Sequence, residues 1–430
     1  MIEQQNNIEN NNQNQIIKLF WLGFIIYSIT YKYIQFSPGS SSFTIPGTFM
    51  SLGLILIFSA SIIVIKWRFE DRNLKVVFTI YMIWLFLIII RGLSSDFQFI
   101  KDMLFDVNYG AMPYLVPLLL LFPKKISFYK QLFTVIVFFA IFYLIINLIF
   151  GMGLSIGDRS SDIFRDFTSS IADLIIPSGF ILLTYKFHSL KRRIFSVIVF
   201  GIGLLIAIYA ARRVIIFIYS TQILFSFLLY LSQSQRKFIL IMYSVFLSFF
   251  IIYYLNNALL KEDNPLFSYF MERGLEDTRT GVELALYSDL NTKDWIIGKG
   301  ISGEYYCPGI DPNNDYRTVI ESGHLQIILR GGLISLILIL LIAIPAIFFG
   351  VFHSKNTLSK AAGIWILLWI LYLYPTTMDA FSLYYIIFWV SIGISYSKDI
   401  RNMSDEDILK ELHTKNKLDN RVIFDNKKMY

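Results

Sequence analysis

Apolar runs of membrane-crossing length follow one another along almost the whole chain, and a sequence with that pattern has few ways to fold. In hydrocarbon, backbone N–H and C=O groups must be satisfied within the protein, so spans are helices or closed barrels. The runs lie near 16–36, 45–65, 74–91, 107–122, 131–150, 168–187, 194–210, 213–231, 238–255, 325–349, 361–374 and 379–396. Most approach the roughly 20 residues a helix needs to span a bilayer. They lack the weak ten-residue alternation of barrel strands. At 55% hydrophobic residues, 17% aromatics and a mean hydropathy of +0.57, the chain is too apolar for a soluble domain. The expectation is an all-α, polytopic membrane bundle of about twelve transmembrane helices with one large external loop.

A net charge of +7 in a soluble protein would point to nucleic acid. Here the basic residues fall in alternate short loops, which is a topology signal, and no nucleic-acid partner is expected. Those loops carry Lys66, Arg68, Arg72 and Lys75; Lys124, Lys125 and Lys130; Lys186, Lys191, Arg192 and Arg193; Arg236 and Lys237; Lys355 and Lys360; and the tail from Lys398. The positive-inside rule makes these loops cytoplasmic and, with an even number of spans, places both termini inside. Residues 1–15, Asn/Gln-rich and without a basic n-region, are expected to be a disordered cytoplasmic tail rather than a signal peptide. Residues 16–255 then hold helices one to nine, 256–324 the external loop, 325–396 the last three helices, and 397–430 a charged cytoplasmic tail. Cys307 is the single cysteine, so no internal disulfide can form.

The external loop differs from the rest of the chain in charge. Between 256 and 321 it has twelve acidic residues against six basic ones, a net of −6. Phe267, Phe270, Met271 and Leu275, then Val282 and Leu286, recur at helical spacing and predict one or two short helices on the membrane surface. After Gly298 the Gly/Pro/Asn-rich stretch reads as irregular loop. IIGKGISG looks like a phosphate loop but follows no strand and lacks the closing Lys-Ser or Lys-Thr.

Three groups of polar residues meet on the external side under this topology. Arg212 and Arg213 occupy the tightest outward turn, where they take an anionic headgroup or else snorkel or pair with a carboxylate. Arg273 and Arg279 have the planar fork that captures pyrophosphate or carboxylate, with pairing to Glu272, Glu276 or Asp277 as the alternative. His324 stands where the loop enters a span, with Glu321 one turn before it, and can act as a general base or simply hydrogen-bond the loop. Arg330, inside the same span, needs a cavity, a partner or a headgroup, and Asp173 is a lesser candidate for the same reason. A single ExxH supplies too few ligands for a metal, and no metal or cofactor is expected.

The order AARR, TRTGVELAL, DWIIGKG and GHLQIILRGGLIS over about 200–345 resembles the O-antigen polymerase (Wzy) and O-antigen ligase superfamily of bacterial membrane glycosyltransferases. The resemblance implies a GT-C-like helical architecture and a metal- and nucleotide-independent enzyme of the inner membrane. Its substrate would be an undecaprenyl-pyrophosphate-linked oligosaccharide, and its pathway partners a chain-length regulator and a flippase. It places the family's arginines on Arg212, with Arg213 adjacent, and Arg279, and its histidine on His324. Leu325 stands where the family often has Asn, and Arg330 where it usually has an acidic residue. The implied activity is polymerisation of repeat units; the alternatives are ligation to lipid A core and, from a different class, a lipid-linked oligosaccharide flippase.

Overall fold

The computed structural model describes residues 2–36, 44–93, 95–107, 110–151, 162–242, 279–311, 314–377 and 380–413, with single helical positions at 246, 249 and 253. Among them, seven helices are long and apolar enough to cross a membrane, and the chain is a helical membrane protein. These are α2 (Thr44–Val64), α3 (Arg72–Arg91), α6 (Ile126–Ile146, continued by a π turn to Gly151), α7 with α8 (Asp162–Ile175 and Ser178–Leu183), α9 (Leu190–Tyr209), α10 (Arg213–Gln233) and α13 (Gly323–Phe352). Shorter apolar helices are α5 (Met112–Leu115, extended by a 3₁₀ turn to Leu121), α14 (Thr357–Tyr372) and α15 (Leu383–Tyr396). The expected span 238–255 lies mostly outside the described residues.

Two expectations are corrected here. The N-terminal tail is not disordered: α1 runs from Ile2 to Phe36 as one helix. Lys125 Nζ donates to Gln13 Oε1 (2.7 Å), and Ser127 Oγ donates to the buried Asn14 at Oδ1 (2.8 Å), so Gln13 and Asn14 are anchored at the start of α6. The run 107–122 is not a full-length helix, because Pro113 and Pro117 each remove a backbone donor and limit the element to short α and 3₁₀ pieces. An unforeseen amphipathic helix, α4 (Phe97–Phe105), follows α3.

A helix that is apolar all round belongs inside a bundle, and every residue of α15 is buried. Trp369 of α14 stacks on Phe388 with ring centroids 4.0 Å apart, and Tyr81 of α3 stacks on Trp389 at 5.7 Å. Around this aromatic centre the helix ends sort into two sets. At one end lie the basic loops, tied together by Lys186–Asp405 (2.8 Å), by Glu70 accepting from the Lys398 N–H (2.8 Å), and by Lys130 donating to Leu412 O (2.9 Å). At the other, Tyr27 donates to Phe105 O (3.0 Å), the Phe381 N–H to Val107 O (2.8 Å), and Lys32 pairs with Asp173 (3.0 Å). Each loop that the charge pattern groups together is found at the basic end.

The polar segment attached to the other end has a core of its own. Its elements are α11 (Thr280–Asp289), α12 (Thr292–Ile297) and a hairpin of β1 (Tyr305–Asp311) with β2 (Asn314–Arg317). Val282, Leu286, Tyr305, Cys307 and Ile320 pack with Leu325 and Leu329 of α13. The period that predicted a surface helix at Val282 and Leu286 was therefore correct in phase, but it faces this core; 265–278 lies outside the described residues. The stretch after Gly298 is a hairpin rather than irregular loop. Side chains alternate across a strand: Tyr305 points inward and donates its hydroxyl to Val319 O (3.1 Å), while Tyr306 points out. Burial pushes the Tyr305 phenol up to about 12.

Candidate functional site

The junction between the polar segment and α13 gathers three of the expected residues. Ser322 precedes the helix and donates its hydroxyl to the Glu283 carboxylate. Gly323 then lies so close to the 373–376 turn that a Cβ would stand 2.6 Å from Thr376 O. His324 is fixed by that turn: its N–H donates to Leu373 O (3.2 Å), and Nδ1 lies 3.3 Å from the same carbonyl. A carbonyl only accepts, so this contact places the ring proton on Nδ1 and leaves Nε2 as the basic nitrogen. The ring lies parallel to the exposed Tyr374, with centroids 6.3 Å apart.

Arg279 reaches the same turn from the start of α11. Its Nε donates to Glu321 Oε2 (3.0 Å) and its Nη2 to Pro375 O (2.8 Å). Arg279, Glu321 and His324 are thus joined through three residues of one turn, Leu373 to Pro375. Arg279 does pair with a carboxylate, that of Glu321; Glu272, Glu276 and Asp277 lie outside the described residues. Arg273 lies outside the described residues.

Arg212 belongs to a second group at the same end. The α9–α10 turn is tight enough to hold Ala211 at φ +50°, a left-handed conformation uncommon for a residue with a Cβ. Arg212 Nη2 meets Asp166 Oδ1 at 3.0 Å, and Arg213 opens α10 with an exposed side chain. Further along the helix that bears Asp166, Asp173 pairs with the buried Lys32 of α1. Helix α10 connects the two groups: Tyr372, next to Leu373, donates to Ile218 O (3.0 Å) and lies 2.7 Å from Thr221 Oγ1. Asp166 and Lys32 were not singled out from sequence. For Asp166 the signal was its helical spacing with Ser170 and Asp173.

Arg330 sits apart from His324, about 9 Å further along α13 at 1.5 Å per residue. It is 3% exposed and lines a small cleft together with Tyr81, Tyr114, Trp369 and Tyr385. Just beyond it the helix is broken at Gly332 (φ 69°, ψ −178°), a conformation open essentially to glycine alone. The carbonyls freed by the break accept hydrogen bonds from outside the helix. The Lys299 N–H donates to Leu329 O (2.7 Å), the Gly300 N–H to Arg330 O (2.9 Å), and Trp84 Nε1 to Gly331 O (2.9 Å). IIGKGISG is therefore a strap on the broken helix. Its glycines are needed for φ +70° at Gly298 and +91° at Gly300.

No protein-family profile, curated protein or solved structure matches the chain. The chemistry must be read from the residues themselves. Among the described residues, no three His, Cys, Asp or Glu side chains are grouped so as to hold a metal ion. The site end presents one imidazole with its basic nitrogen directed away from its carbonyl partner, a carboxylate-held guanidinium beside it, and a second guanidinium across α10. Such a set can take a proton from a hydroxyl and stabilise an anionic leaving group.

Proposed function

We propose that the chain is a membrane glycosyltransferase joining oligosaccharide repeat units carried on undecaprenyl pyrophosphate into a surface polysaccharide. In this reading the basic end faces the cytoplasm of a bacterial inner membrane, both termini are cytoplasmic, and the site opens outward. The observation that carries it is the joining of Arg279, Glu321 and His324 at one turn, on the same end of the bundle as Arg212. A general base beside guanidinium groups is what transfer from a pyrophosphate requires.

The acceptor hydroxyl oxygen attacks the anomeric carbon of the donor, and its proton passes to Nε2 of His324. The bond from that carbon to the pyrophosphate oxygen breaks, and undecaprenyl pyrophosphate leaves with its charge met by Arg279 and Arg212. Glu321 is a positioning residue that orients the Arg279 fork, and Arg213 and Arg273 are assigned to the approach of the same anion. Arg330, deeper in the cleft, is assigned to the lipid-proximal side.

The test is purified protein in liposomes supplied with an undecaprenyl-pyrophosphate-linked repeat unit, with and without lipid A core. Longer carrier-linked chains made without lipid A core support polymerase, whereas transfer to lipid A core shows a ligase. Translocation of the lipid-linked unit without new glycosidic bonds shows a flippase. His324→Ala is expected to lower the rate by about 10²- to 10⁴-fold, the usual contribution of a general base. Chain growth at the wild-type rate in that variant refutes the assigned role.

A further inference from the structure

The β1–β2 hairpin has an outward face that neither the local fold nor the transfer centre uses. Tyr306 and Tyr316 are cross-strand partners in register, with ring centroids 5.5 Å apart at 62°, and they remain 46% and 49% exposed. Strand alternation puts Glu304, Asn314 and Thr318 on the same face, and all three are exposed. Arg317 pairs in register with Tyr305, on the opposite face. Among the described residues the outward face thus offers two phenol rings, a carboxylate, an amide and a hydroxyl, and the cation near it, Lys299, is engaged with Asp289 and the Glu304 carbonyl. Tyrosines in such a setting supply rigid, amphipathic contact area at low entropic cost.

Two kinds of partner suit exposed aromatic rings at the end of a membrane bundle. A lipid surface is met by aromatics accompanied by lysine and arginine, which pair with phosphate headgroups. This face has a carboxylate instead, within a segment of net charge −6, and headgroup phosphates repel it. A saccharide fits both halves of the surface. The C–H face of a sugar ring packs on an aromatic ring, and its hydroxyls donate to the Glu304 carboxylate and accept from the side-chain amide N–H of Asn314, whose Oδ1 takes the Tyr316 N–H (2.9 Å).

We propose that the hairpin is a saccharide-binding arm holding sugar residues of the chain outside the transfer centre, through Tyr306 and Tyr316 with Glu304 and Asn314. This rests on the glycan-transfer reading above and adds to it the place where the polymer is held. The connection is short, since β2 ends at Arg317 and the chain reaches Glu321 and His324 within seven residues.

The test uses the full chain in lipid nanodiscs. The probe is the set of oligosaccharides released by mild acid from the surface polysaccharide of the bacterium that encodes it. Binding is followed by saturation-transfer NMR and titration. The wild type is expected to bind. Tyr306→Ala/Tyr316→Ala should weaken binding by about tenfold or more, the loss of one good contact's worth of affinity. Tyr306→Trp/Tyr316→Trp should retain it, and thermal midpoints should match because both side chains are at the surface. Unchanged affinity in the alanine variant overturns the proposal. Quenching of the introduced tryptophans by brominated lipid also overturns it, since it places the arm in headgroups. His324→Ala should bind the oligosaccharides normally, so a failed transfer mechanism and a failed arm give different results.

Discussion

Replacing Gly332 by alanine tests the link between the polar segment and the membrane helix. An added Cβ would lie 2.1 Å from Ile296 O and 2.5 Å from the Ile297 N, both backbone atoms that no rotamer change can move aside. The backbone at φ 69° and ψ −178° would also be strained, at about 1–3 kcal/mol for such a region. Shifting 296–297 pulls the strap off the Leu329 and Arg330 carbonyls, each hydrogen bond contributing on the order of 1 kcal/mol and each stranded acceptor costing more. The combined loss is about 4 kcal/mol or more, enough to lower the thermal midpoint in detergent by about 5 °C or more. The assay pairs that midpoint with tryptic cleavage at Lys299, which should become faster once the strap detaches. Gly281→Ala is the control. Its Cβ meets nothing within 4 Å on helix α11, so it should be neutral or stabilising by up to about 1 kcal/mol. A Gly332→Ala protein with the wild-type midpoint and wild-type cleavage would refute the reasoning.

Other outcomes are expected elsewhere in the molecule. Arg279→Lys should reduce chain growth almost as much as Arg279→Ala in the liposome assay, because a single ammonium cannot serve Glu321 and Pro375 O from one planar fork. Asp173→Ala should destabilise more than the double change Lys32→Met/Asp173→Leu, since it leaves a buried lysine without its carboxylate. His188, at the basic end, is held neutral. Thr184 gives its hydroxyl hydrogen to Phe180 O and accepts from Nε2, and burial, with Arg192 and Arg193 nearby, depresses the imidazole to about 3. A histidine depressed in the folded state takes up protons on unfolding, so its contribution is complete above an unfolded value of about 6.5 and declines as pH falls towards the folded value. The thermal midpoint should therefore drop between pH 6.5 and 4, and His188→Gln should flatten that drop.

Much of the membrane architecture was legible because apolar length and loop charge are local properties. The run 107–122 was misjudged because Pro113 and Pro117 outweigh hydropathy in setting helix length. Residues 1–15 looked disordered by composition, yet α1 takes them in from Ile2, and Gln13 and Asn14 meet Lys125 and Ser127, over a hundred residues away. At the site, Arg279, Glu321 and His324 could be named from residue type and position. The turn that joins them could not, because Leu373 and Pro375 act through backbone carbonyls that carry no sequence signature. The hairpin was hidden for a related reason: Pro308 and Gly309 disguise a strand whose alternation is plain only once Tyr305 is seen buried and Tyr306 exposed.

The break at Gly332 divides α13 into two lengths that answer to different neighbours. The stretch 323–331 takes hydrogen bonds at its last carbonyls from Lys299, Gly300 and Trp84, while 333–352 stays with the bundle. His324 is carried by the first of these. Its height and angle are therefore set jointly by the polar segment, through Lys299 and Gly300, and by Trp84 of α3 and the Leu373 turn, so a rearrangement of the polar segment reaches the imidazole along one short length of helix.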